Sequence, residues 1–112
     1  MHIRDYQGIK GAEVKTEGAK GVNMRVVAGP EHGALNFTMR VFTIEPGGNT
    51  PLHHHDFEHE IFIHEGLGQL VYEGKVRELW PGFVAYIPPN VEHQFRNTGT
   101  TPMVFVCVVP KI

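Results

Sequence analysis

No window of this 112-residue chain keeps apolar residues at three-and-four spacing for three turns, and its short β-branched and aromatic runs are cut throughout by thirteen glycines and eight prolines. Such punctuation denies the chain a long amphipathic helix and leaves short strands to build the core. Strands are expected at residues 22–28, 36–45, 57–64, 68–72, 75–79, 83–87, 93–98 and 103–109. Glu73-Gly74 carries a hairpin signal, and Trp80-Pro81-Gly82, Pro88-Pro89-Asn90 and Gly99-Thr100-Thr101-Pro102 have the chemistry of tight turns. Eight short strands at this spacing predict an all-β sandwich or small barrel. A chain of this length buries roughly two-thirds of its unfolded surface, enough for one core without staples.

The first twenty residues are polar and glycine-rich, with scattered Ile3, Tyr6, Ile9 and Val14. The expected organisation is an N-terminal arm at 1–21 followed by a β domain at 22–112. The arm is either loosely ordered or a strand that pairs with a second subunit and covers a sheet edge. Charged residues make up 20% of the chain, with both signs interspersed and a net charge of -2, so a nucleic-acid partner is not expected. The longest apolar run, 103–109, is far shorter than the roughly 20 residues of a membrane helix. Arg4, Asp5, Gln7 and Lys10 give the start no signal-peptide core, and a lone Cys107 suits a reducing compartment. A soluble cytoplasmic protein with no membrane partner is the expectation.

The chemistry is concentrated between Gly47 and Glu60, which contains His53-His54-His55 and His59. In extended backbone, residues two apart share a face, so His53 and His55 project together while His54 points away. A turn at Asp56-Phe57-Glu58 returns His59 to the same interior, and His93, just after the Pro88-Pro89-Asn90 turn, supplies a fourth imidazole from a neighbouring strand. Neutral imidazole binds divalent first-row metals, and four converging rings leave the metal its full charge. His2, His32 and His64 are read as surface residues, and His54 as either solvated or a support behind the ligands.

Two spacings give the chain a family resemblance. Gly47 is followed by five residues, His53-His54-His55, three residues, His59, six residues and Gly66; Gly82 is followed by five residues, Pro88-Pro89-Asn90, two residues, His93, three residues and Asn97. These resemble the first and second motifs of the cupins, at 47–66 and 82–97. Two positions depart from the pattern. His59 stands where the family usually has Glu, and Asn90 replaces the inner glycine of the second motif, a substitution that the left-handed tolerance of Asn accommodates. The resemblance implies a cupin jelly-roll β-barrel, or double-stranded β-helix.

The run 36–48 together with His59-Glu60-Ile61-Phe62 is similar to small single-domain cupins with a four-His, manganese-type site. That likeness implies one divalent metal on His53, His55, His59 and His93, manganese first, with iron, copper, nickel or zinc as alternatives. Glu60 is the competing ligand, because the motif also allows a gap of four; adjacent strand residues face opposite ways, so both cannot ligate without a bulge. The implied function is a metal-dependent oxygenase of dioxygenase type acting on a small oxygen-containing molecule. The alternatives are a metal-dependent isomerase or lyase and a non-catalytic ligand- or metal-binding module. Arg40, Phe57, Glu60, Phe105 and Cys107 are the candidate residues around the metal. Arg40 would orient an anionic substrate if it points inward. Small cupins resemble homodimers packed through sheet faces, and the outward parity of Glu60, Phe62 and His64 suits such a face.

Overall fold

The computed structural model describes residues 1–111; Ile112, the last residue of the expected β domain, lies outside them. Among the described residues nine strands form one curled antiparallel sheet: β1 (Ala12–Glu13), β2 (Lys20–Ala28), β3 (Phe37–Asn49), β4 (His59–Glu65), β5 (Gly68–Tyr72), β6 (Lys75–Leu79), β7 (Val84–Ile87), β8 (His93–Asn97) and β9 (Met103–Pro110). The strand order is β6-β5-β8-β3-β9-β4-β7, with β2 paired to β3 and β1 to β2. This is the jelly-roll barrel. No helix among the described residues is long and apolar enough to cross a membrane.

Eight of the nine strands fall on the expected runs, with shifts that have local causes. β3 runs on past Glu45 to Asn49, and at its far end leaves β9 to pair Asn49 with Arg96 of β8. Gly48 makes the corner: a side chain there would drive into the carbonyls of Lys20 and Glu45. At Glu73-Gly74 both residues have positive φ, the two-residue hairpin the dipeptide predicts. Asn90 has φ 67°, so the left-handed turn survives the loss of the family glycine.

β1 pairs with β2 of its own chain, β2 itself starts at Lys20, and Val14 and Ala19 pack against the core. Inside the barrel, Ile44, Ile61, Ile63, Phe95, Met103, Phe105 and Val109 form one buried cluster. Asn97 is buried but fully paired: its Nδ2 donates to the carbonyls of Ile44 (2.8 Å) and Thr101 (2.9 Å), and its Oδ1 accepts from Gly99 N (2.9 Å). The asparagine of the second motif therefore ties β8 to β3 and to the loop before β9.

Candidate metal centre

The two motifs meet through their backbones. His53 N donates to His93 O at 3.2 Å and His93 N to His53 O at 2.9 Å, a doubly bonded antiparallel pair that sets both imidazoles on one side. Asn90 N donates to His55 O at 2.6 Å, so the left-handed turn of the second motif holds the histidine of the first. β4 begins at His59 rather than at 57, and its alternation sends His59, Ile61 and Ile63 inward and Glu60, Phe62 and His64 outward.

Four rings close on one another: His53–His55 at 4.4 Å between centroids, His55–His59 at 5.1 Å, His59–His93 at 5.1 Å and His93–His53 at 5.3 Å. One nitrogen from each of His53, His55 and His93 lies within 4.8 Å of the others. His59 joins through its ring contacts rather than that shared spacing. His54 is exposed, as are Glu60 and His64, while His2 and His32 stack on each other at 4.1 Å. Glu60 is thus corrected: it stands on the outer face of β4, paired across to Tyr86 and Val108, and reaches neither the histidines nor their cavity.

The imidazoles are held neutral. Burial, reinforced by the neighbouring histidines and Arg40, lowers His53 to about 4 and His59 to about 3. His55 and His93 are lowered as well, both chiefly by burial. The His93 Nδ1–H donates to Val91 O at 2.9 Å, which leaves the lone pair on Nε2, free to bind a metal. Nδ1 of His55 and of His59 is buried with no hydrogen-bond partner. A buried imidazole nitrogen left so is costly, and a cation shared by the rings offsets that cost. The donor set fits a divalent first-row metal.

A cavity of about 190 Å³ opens on the cluster, walled by Val14, Val22, Phe42, Ile61, Phe95 and Phe105 among others. Arg40 and Cys107 face into it as cross-strand partners on β3 and β9, and Arg40 Nη2 donates to Cys107 Sγ at 3.2 Å. Burial pushes the Cys107 thiol up, against a smaller pull down from Arg40. Phe57 stacks on His55 at 4.7 Å and backs His59 at 5.1 Å. Val14 and Thr16, from the arm, complete the wall, and their polar, glycine-rich setting in the sequence gave no sign of it.

A curled antiparallel barrel with converging imidazoles from two short motifs defines a class of small metal-site proteins. The chain belongs to the cupins: residues 40–109 match the Cupin domain family. L-ectoine synthase of Bordetella parapertussis is 28% identical over 110 residues, covering 96% of this chain and 82% of that protein. The polyketide cyclase RemF of Streptomyces resistomycificus superposes with a TM-score of 0.92 at 32% identity, over 98% of this chain and 79% of RemF. A predicted oxalate decarboxylase of Thermotoga maritima superposes with a TM-score of 0.84 at 26% identity, over 98% of this chain and 99% of the other.

Proposed function

We propose that the protein is a metal-dependent enzyme acting on a small oxygen-bearing organic molecule, with one divalent metal, manganese foremost, held by His53, His55, His59 and His93. The observation that carries this reading is a ring of four neutral imidazoles on a cavity whose wall, among the described residues, contains no carboxylate. A metal there would supply Lewis acidity and, if redox-active, oxygen activation. The chain supplies the rest. Phe42, Phe95, Phe105 and Ile61 exclude water, Val91 fixes the His93 proton, and Phe57 braces His55.

With no carboxylate in the wall to take a proton, oxidation by dioxygen suits the site better than proton-shuttling decarboxylation. A second reading, isomerase, lyase or cyclase chemistry on the same metal, draws support from the likeness to RemF, a cyclase. The test is to load the protein in turn with manganese, iron, copper, nickel and zinc and offer it enols, flavonols, diketones and small oxo acids. Oxygen uptake establishes the oxygenase; isomerised or cyclised product under nitrogen establishes the second reading. Neither activity, together with four nitrogens at zinc distances in X-ray absorption, would leave a closed structural site.

The working unit in this reading is a cytoplasmic homodimer. Phe62, Val84 and Tyr86 stand 46%, 73% and 56% exposed on the outer face of the paired strands β4 and β7, an apolar patch suited to a second copy. Light scattering at twice the 12.6 kDa chain mass is the expected result, and a monomer would reject it.

A further inference from the structure

Among the described residues Arg40 is the one charged side chain in the cavity wall, and its hydrogen-bond partners are poor ones. Nη2 meets the thiol of Cys107 at 3.2 Å, Nη1 meets the thioether of Met24 at 4.0 Å, and Nε is buried with no partner. Its Cζ lies over the Phe42 ring, 5.1 Å from the centroid. Among the described residues it makes no ion pair, and no Asp or Glu joins it in the wall. A guanidinium keeps its charge at any ordinary pH and offers a planar fork of five donors; the Phe42 face attracts the cation, but a thiol and a thioether are weak acceptors and leave most of that fork free for an anion. A divalent cation on the adjacent histidines would deepen the positive field. Among the described residues the wall holds one cation, neutral imidazoles and apolar surface, and no anion.

We infer that the missing anion is the ligand: the cavity takes a small organic carboxylate, its two oxygens on the Arg40 fork and its body among Phe42, Phe95 and Phe105. This names the substrate class of the enzyme proposed above and rests on that reading for the chemistry that follows binding. The paired oxygens of a carboxylate match the fork bidentately. The cavity, about 190 Å³, has room for a small oxo acid such as pyruvate. Arg40 is assigned here as a specificity-determining residue.

The experiment uses manganese-loaded wild type, Arg40→Met and Arg40→Lys, with metal content measured on each and pyruvate and methyl pyruvate titrated by calorimetry. Wild type is expected to bind pyruvate at least tenfold more tightly than the uncharged ester. Arg40→Met should lose about tenfold in pyruvate affinity, with metal content and ester affinity unchanged, and Arg40→Lys should fall between, keeping the charge without the fork. Arg40→Lys also serves as the folded control should Arg40→Met unfold. Equal affinity of wild type for acid and ester, or pyruvate affinity in Arg40→Met within twofold of wild type, overturns the inference. Failure of the metal reading shows separately, as wild type that retains no metal; the same titrations on that metal-free protein still decide the role of Arg40.

Discussion

His59 stands in a position the family usually gives to Glu, and a single peptide separates it from a real glutamate. The structure resolves the pair by pleat: His59 is 4% exposed and within 5.1 Å of the His55 and His93 rings, whereas Glu60 faces outward toward Tyr86. Exchanging them would need a one-residue slip of β4, which would turn Ile61 and Ile63 out of the core. His59→Ala is therefore expected to weaken manganese or zinc binding by at least about tenfold, the scale on which even supporting groups around a metal act. Glu60→Ala and His54→Ala should leave it within twofold. Chelator competition with metal analysis reads both, and loss of metal in Glu60→Ala with retention in His59→Ala would reverse the assignment. His59→Glu separates charge from geometry: it should hold a metal while removing one neutral donor and adding a proton acceptor to the cavity.

At the scale of elements, the turn at Asn90 joins the two motifs more closely than their separation in the chain suggests. Its φ of 67° is open to Asn and Gly at little cost, and its N–H holds His55 O at 2.6 Å. Asn90→Gly should leave stability within about 1 kcal/mol, whereas Asn90→Val, β-branched in a left-handed position, should cost about 1–3 kcal/mol and loosen His55. Thermal unfolding and metal affinity measured together check this; an unaffected Asn90→Val would mean the turn does not position the site. The same element shows what the sequence makes legible. Turn chemistry and ligand spacing are local, so eight strands, the turn at Asn90 and the convergence of His53, His55, His59 and His93 can be read directly from it. What cannot be read depends on distant partners. β1 is two residues that are extended only because β2 lies beside them, and Val14 and Thr16 acquire their place in the cavity by that contact. The direction of Arg40 was ambiguous for a related reason. On β3, Val41 and Ile44 face opposite sides and are both buried, at 4% and 0%, since residues 6–9 cross the outer face at Arg25, the cross-strand partner of Val41. A strand covered on both faces loses the alternation that tells inside from outside.

For the whole molecule, the cluster makes folding stability a function of pH. An imidazole in the unfolded chain titrates near 6.5, while in the barrel His53 is held to about 4 and His59 to about 3, with His55 and His93 also lowered. Between those values the unfolded chain binds more protons than the native one, so stability must rise with pH through this window. The contribution of these groups is complete above about 6.5 and is lost as pH falls toward 4 and then 3. Metal-free protein should accordingly show a melting temperature that drops steadily from pH 7 to pH 4, and His53→Ala,His59→Ala should flatten the slope. A metal binds the same neutral nitrogens and only in the folded state, so at a hundred times its Kd it stabilises by about 2.7 kcal/mol. In a domain of this size that is a rise on the order of 10 °C at pH 7.5. Protons compete for the ligands, and the rise should shrink to nothing near pH 4. Scanning calorimetry with and without manganese or zinc at the two pH values decides it. A metal-induced rise that persists at pH 4, or that survives in His53→Ala,His59→Ala, would place the stabilising metal on groups other than these imidazoles.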